Sequence, residues 1–469
     1  MRYYRVIIKK IIIPLLLSIF LSLVIFCPIL KNFFFSDDFS WLFRADHSLY
    51  NWYDFVFLRF AGFLRTTVNF YFYITYHLFG SHPVYYYLVN ILLHGVNGYL
   101  VYLLGKNITK RWAIGWLAAI IFICLYSHRE AVMWISAATS LIDTFFVLLA
   151  ANLFWYYLEN RNFFVYLATL SALIAALLTK ESSSILVIIL SLEFLLFYKY
   201  KNWYKKDATI LLPLWAATIG YLVMQYLYLF NNLAVYGYEY KIKMSQLKIL
   251  FFNTGHAIFG FENLSLITIL FLALFLVITL IFLKNREYRR ILLFFGGWIL
   301  IASLPPIFFN MGSYHFFLAS RYNYLISVGT SCLLATVIYL LYQSSRHKSY
   351  KFFIFLMMAI LLFFNAHKIR EDNRGYYKLG QVSRNLYYSL SILNMAQYRG
   401  YNVFIVGDFP FGQNAPYIYD MLQLYFNVSY NKIHFIPKMI PFNTNKVIAF
   451  EWNFSKEKFI IKTDTADSN

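Results

Sequence analysis

Long apolar runs separated by short charged breaks dominate this chain. Runs long enough to cross a bilayer fall near residues 7–30, 83–105, 112–127, 137–158, 162–179, 183–200, 208–230, 264–284, 290–309, 321–343 and 351–366, which predicts about eleven transmembrane helices. The first run follows Arg2, Arg5, Lys9 and Lys10 and lacks a small-residue cleavage site, so it is expected to remain as a helix with its amino terminus in the cytoplasm. After residue 366 the pattern changes. A polar helix around 374–398 leads to a β-branched and aromatic run at 401–406 closed by Gly407-Asp408-Phe409-Pro410, and a helix near 415–426 with strands near 431–436, 446–451 and 457–462 follows. The expected organisation is an α-helical polytopic membrane domain over 1–366 and a small extracytoplasmic α/β domain over 367–469.

The breaks differ in their charges. With the amino terminus inside, the cytoplasmic breaks receive Lys106, Lys110 and Arg111; Arg161; Lys199, Lys201, Lys205 and Lys206; Lys284, Arg286, Arg289 and Arg290; and Arg346, Lys348 and Lys351, as the positive-inside rule requires. The outer breaks carry mixed chemistry instead: Asp37-Asp38, His128-Arg129-Glu130, Lys180-Glu181 and Ser320-Arg321-Tyr322. Each alone reads as a hydrated loop or a local ion pair. Four such clusters on one side of a membrane point to a shared site.

The first outer loop, about 31–82, is rich in rings, among them Trp41, Trp52, Tyr53, Phe55, Phe70, Tyr71, Phe72 and Tyr76, and this suits interfacial helices that roof a cavity. Its acid pair has two readings: Ser36 caps a helix whose first turn holds the carboxylates, or the carboxylates are the chemical centre. A second outer segment, about 231–262, holds Tyr236, Tyr238, Glu239, Tyr240, Lys241, Lys243 and His256 and reads equally as a mobile lid or acceptor contact, or as an ordinary interfacial connection.

Composition agrees with a membrane protein: 61% apolar residues, 13% charged, mean hydropathy +0.57. The net charge of +20 lies in short loops between spans and not on one soluble face, so nucleic acid is not expected as a partner. Cys27, Cys124 and Cys332 lie in or beside apolar runs without paired spacing, which implies neither a disulfide framework nor a metal centre. Walker loops, dinucleotide fingerprints and tetratricopeptide periods are absent.

Three stretches together carry a resemblance: Leu88-Val89-Asn90-Ile91-Leu92-Leu93-His94 with Asn97; His128 through Glu130-Ala131-Val132 with Trp134-Ile135-Ser136; and Leu177 through Lys180-Glu181. They resemble membrane glycosyltransferases of the GT-C fold, most of all the membrane part of the transmembrane and tetratricopeptide-repeat O-mannosyltransferases and, more widely, protein O-mannosyltransferases and their bacterial relatives. Ser320-Arg321-Tyr322-Asn323-Tyr324-Leu325 is similar to that family's Arg-Tyr motif, and the likeness covers about residues 30–330. It implies transfer of one sugar from a polyprenyl-phosphate carrier to an acceptor hydroxyl at the non-cytoplasmic face, with the catalytic carboxylate in the Asp37-Asp38 pair. Departures are Ala138 and Ser140 where members often carry Arg and Asp, with Asp143 following on nearly the same helix face, and Thr66 where a Pro is common. With no repeat domain following, a repeat-dependent protein acceptor is not assumed.

The chemistry then needs a base for the acceptor proton, with Asp37 first and Asp38 second, and cations for the phosphate leaving group, for which Arg65, His128, Lys180 and Arg321 are the candidates. Glu130 and Glu181 are expected to orient those cations, with Tyr322 and Asp143 in support. Single displacement inverts the anomeric centre. Adjacent carboxylates without a His or third acid make a poor divalent site, so metal independence and no cofactor are expected. The rivals are a ligase or polymerase for lipid-linked glycans and a flippase for a lipid-linked sugar; a flippase predicts internal repeats and midplane charges, of which only Asp143 and Glu193 are clear here. The expected setting is a bacterial plasma membrane, with the acceptor open.

Overall fold

The computed structural model describes residues 11–47, 53, 59–60, 63–198, 207–236, 276–305, 320–391, 401–406, 416–426, 428, 432–436, 447–453 and 458–462. Among these it is mostly helical. In chain order the helices are α1 Ile13–Phe26, α2 Asp38–His47, α3 Thr66–Phe79, α4 Pro83–Thr109, α5 Trp112–Cys124, α6 Arg129–Met133, α7 Ala138–Asn160, α8 Phe163–Leu177, α9 Leu186–Phe197, α10 Leu212–Tyr236, α11 Arg286–Ala302, α12 Asn323–Ser344, α13 Lys348–Ser391 and α14 Pro416–Phe426. A two-stranded hairpin, β1 Arg59–Phe60 with β2 Phe63–Leu64, precedes α3.

Among the described residues six stretches are long and apolar enough to cross a membrane, and a seventh is added if α5 and the bent segment Tyr126–Met133, turned by 57°, form one span. The expectation of about eleven spans is therefore met only in part. Three apolar runs yield shorter helices, α8, α9 and α11, because the chain leaves regular helix before the run ends. At 183–185, for example, the 3-10 segment Glu181–Ile185 takes up the start of the run that begins near 183. The run near 264–284 lies mostly outside the described residues, as does the outer segment 237–262.

Small and polar residues pack the bundle. At Gly115, on α5, a Cβ would stand 2.6 Å from the Tyr102 carbonyl oxygen, so only glycine allows α4 and α5 to approach this closely. Within the apolar interior His94 Nε2 donates to the Ile123 carbonyl (3.1 Å), which leaves Nδ1 to accept from the Tyr324 hydroxyl (2.7 Å); Asn97 Nδ2 donates to that same hydroxyl (3.2 Å) and to the Leu141 carbonyl (2.9 Å). This network ties α4 to α5, α7 and α12.

The last membrane helix does not stop near residue 366. The helix α13 runs 44 residues without a break, so the expected boundary at 366/367 and the separate polar helix around 374–398 fall partly within one element. A Lys368–Glu371 pair (3.4 Å, three residues apart) supports the helix where its composition turns polar. Beyond it, β3 Asn402–Val406 lies parallel to β4 Ile433–Ile436 and to β5 Val447–Asn453, and β6 Lys458–Lys462 closes the edge antiparallel to β5, in the order β4-β3-β5-β6. Val403 pairs with both Ile433 and Ile448, all three buried.

Candidate active site

The first span ends in the 3-10 turn Cys27–Lys31, and the chain reaches the acid pair through a turn at Ser36, whose φ of 54° is left-handed and strained for a residue with a Cβ. The Ser36 hydroxyl donates to Asp37 Oδ1 (3.5 Å), and α2 begins at Asp38, so the geometry does not follow the reading of Ser36 as a helix cap. The two carboxylates then have different surroundings. Asp38 is fully buried: Oδ1 accepts from the Ser136 N–H (2.8 Å) and hydroxyl (2.5 Å), and Oδ2 accepts from the Phe35 N–H (3.1 Å). Burial pushes its pKa up to about 7, against the pull of these donors. Asp37 is half-buried and faces the charges of Arg321 and Arg44; burial raises it above the ordinary carboxylate range.

Arg321, whose charge acts on Asp37, also lines a cleft enclosing about 350 Å³, its open mouth included, together with Ser140, Asp143, Lys180, Tyr322, Thr144, Ser182, Pro305 and three apolar side chains. Three breaks in helix geometry supply the polar wall. The 3-10 turn Ile135–Ala137 opens α7 and aims Ser140 and Asp143 inward, the turn before Glu181 places Lys180, and the 3-10 turn Ser320–Tyr322 places Arg321. Lys180 Nζ donates to Ser140 Oγ (3.4 Å) and lies 4.7 Å from the centre of the Tyr322 ring. Its burial lowers the ammonium pKa, while Asp143 and Glu181 favour the charged form. Asp143 accepts from the Ser183 hydroxyl.

The remaining cations are held by carboxylates. Arg321 donates through Nη1 to Glu130 Oε1 and through its main-chain N–H to Glu130 Oε2 (3.1 Å), and its guanidinium covers the Trp134 ring at 5.0 Å. Arg65 donates through Nη2 to both oxygens of Glu181 (3.3 and 3.2 Å), next to Lys180. The structure thus gathers Asp37, Arg65, Asp143, Lys180, Glu130, Glu181, Arg321 and Tyr322 around one place. His128, expected among the phosphate-binding cations, is not brought there. Its ring is fully buried against Phe122, Tyr324 and His94, and Nε2 lies 2.5 Å from the Ser327 hydroxyl. Its neighbour Arg129 faces Asp372 on α13 at 2.7 Å, which also accepts from the Tyr126 hydroxyl (2.7 Å).

Sequence reasoning passed over Ser136 and Asp372 as partners, because a serine 98 positions from Asp38, or an aspartate 246 from Tyr126, leaves no local pattern. Among the described residues no three His, Cys, Asp or Glu side chains gather to hold a metal ion. The acid pair does not offer itself as a bidentate site, since both Asp38 oxygens are engaged by protein donors.

No family model and no curated protein sequence matches the chain. Solved structures do. An oligosaccharyltransferase of Archaeoglobus fulgidus, solved tethered to an acceptor peptide, superposes with a TM-score of 0.50 at 11% identity over 93% of this chain and 62% of its own. This chain thus spans somewhat under two thirds of that neighbour. ArnT of Cupriavidus metallidurans, solved bound to undecaprenyl phosphate, gives a TM-score of 0.48 at 11% identity, over 96% of this chain and 98% of its own. The chain has the GT-C fold of membrane glycosyltransferases.

Proposed function

We propose that this chain is an inverting glycosyltransferase that moves a single sugar from a polyprenyl-phosphate-linked donor to an acceptor hydroxyl on the non-cytoplasmic side of a bacterial plasma membrane. The observation that carries the reading is the pairing of a cation-bearing cleft, with Lys180 and Arg321 in its wall, with a half-buried carboxylate, Asp37, beside Arg321. A phosphodiester in the cleft meets an ammonium and a guanidinium that Glu130, Asp143 and Tyr322 hold in place. The acceptor hydroxyl passes its proton to Asp37 as its oxygen bonds to the anomeric carbon, and the carbon–oxygen bond to the phosphate breaks, releasing polyprenyl phosphate. Attack from the side opposite the phosphate inverts the configuration. Asp38 anchors the loop that carries Asp37, and Asp143, with Lys180 beside it, is placed to meet the hydroxyls of the sugar. No step is routed through a metal.

The test is transfer of radiolabelled sugar from a panel of polyprenyl-phosphate sugars, in membranes holding wild-type protein or Asp37→Asn. One donor is expected to be consumed with inversion and without sensitivity to a chelator, and Asp37→Asn is expected to lower kcat by about 10²- to 10⁴-fold in a protein that still folds. Unchanged turnover by Asp37→Asn removes it as the base. A product of retained configuration overturns the direct displacement.

A further inference from the structure

The turn that carries the acid pair is held from two sides by parts of the chain that follow the membrane bundle. On one side α13 leans on the stretch that leads into the turn. Asn32 Nδ2 donates to Asn373 Oδ1 (3.1 Å), the Phe33 ring lies 6.0 Å from Tyr387, and the Phe35 ring lies 5.9 Å from Tyr376. Gly380 passes so close that a Cβ there would stand 2.8 Å from the Phe33 nitrogen. On the other side α14 packs along α2: Phe39 meets Tyr425 edge-on at 6.2 Å, and the Ser40 hydroxyl donates to Asp420 Oδ2. Tyr387 joins the two holds, with its ring 4.8 Å from Tyr425 and 6.2 Å from Phe426.

Ring contacts of this kind fix how near two helices lie and leave rotation comparatively free, whereas a hydroxyl–carboxylate bond is directional. Ser40 stands in the first turn of α2, three positions after Asp37, whose carbonyl accepts from the Trp41 N–H (3.2 Å) and so ties Asp37 to the start of that helix. Asp420 also shares its electrostatic surroundings with the site, since it faces both Arg44 and Asp37.

We propose that Asp420, on the helix beyond the membrane bundle, is a positioning residue for the acid pair: through Ser40 it sets the rotation of α2 and hence the aim of Asp37 toward the cleft. The inference rests on the transferase reading above and gives the C-terminal region a specific part in it. Asp420 touches neither donor nor acceptor, so its removal acts on turnover and not on donor binding.

The experiment uses the full chain in membranes and the donor that the wild-type protein consumes. Asp420→Ala is expected to lower kcat about tenfold while the donor KM stays within about twofold, because the cations of the cleft are untouched. Asp420→Asn keeps an acceptor oxygen for Ser40 and restores most of the turnover. Ser40→Ala is expected to match Asp420→Ala, and the double variant to be no worse than either single one, since the two remove the same bond. Independently of activity, a Ser40→Cys/Asp420→Cys pair is expected to cross-link within one chain under oxidation. A donor KM that rises in Asp420→Ala, additive losses in the double variant, or no cross-link in a protein that transfers sugar overturns the inference. If the wild-type protein transfers sugar from no donor in the panel, the functional reading itself falls, whatever the cross-link shows.

Discussion

On the proposed reading the two neighbouring carboxylates have different tasks. Asp37 acts as a base only when ionised, and burial raises its pKa, so kcat/KM should fall with decreasing pH along a limb that lies above the ordinary carboxylate value of about 3.9. A limb at or below that value would mean that Asp37 is solvated during turnover. For Asp38 the effect is on stability. Its folded pKa of about 7 exceeds the unfolded one, so the folded protein binds the extra proton between those values. Stability from this group is fully present below the unfolded pKa and is lost as pH rises through about 7. Asp38→Asn cannot satisfy the three donors on Asp38 with one acceptor oxygen, and should lower stability by about 1–3 kcal/mol and flatten the fall between acid and neutral pH. Melting curves of both proteins at acid and neutral pH test this; an undiminished pH dependence in the variant assigns the effect elsewhere. The sequence placed both acids at the centre, but it could not separate them. What separates them is Ser136, nearly a hundred positions away.

At the scale of elements, the site is made where helices break. The turns at 135–137, 181–185 and 320–322 lie at the ends of apolar runs, and each brings a polar side chain to the outer end of the bundle. Charged letters such as Lys180-Glu181 or Arg321 were legible as site candidates for this reason: an ionised side chain beside hydrocarbon is costly, and a chain keeps one there where it has a partner or a ligand to meet. The accompanying loss of helix was not legible, since hydropathy counts apolar letters whatever their backbone, and this is why α8, α9 and α11 are shorter than their runs. His128 shows the opposite failure. Its letter is polar, but the 3-10 turn directs it inward to Ser327, where it ties α12 to the bundle. Lys180 differs from it in lining the cleft. Lys180→Met keeps the stem and removes the charge, and it should raise the donor KM about tenfold to a hundredfold in direct transfer assays. An unchanged KM would leave the phosphate to Arg321 and Arg65.

Across the described part of the molecule, the breaks at 106–111 and 161 lie at the end of the bundle opposite the acid pair. Helix α7 begins beside Ser136, the partner of Asp38, and ends at Glu159, which pairs with Lys110 at the far end of α4. At that same far end Arg111 faces Glu287 (3.7 Å) and Arg161 covers the Tyr198 ring (4.5 Å). Lys110, Arg111 and Arg161 therefore form one pole, and Asp37, Arg65, Lys180, Glu130 and Arg321 form the other. On the proposed reading the positive-inside rule predicts that the first pole is cytoplasmic, because Lys and Arg near span ends are retained there. The number of crossings is not needed for this assignment. It follows from which loops share an end, and the 27 residues of α4, about 40 Å of helix, are enough to keep the two ends on opposite sides of a bilayer. A reporter enzyme that folds only outside the cytoplasm should be active when fused after residue 391, beyond the outer end of α13, and silent when fused after residue 111. The reverse pattern would put the acid pair and the cleft in the cytoplasm, where a donor presented at the outer leaflet could not reach them.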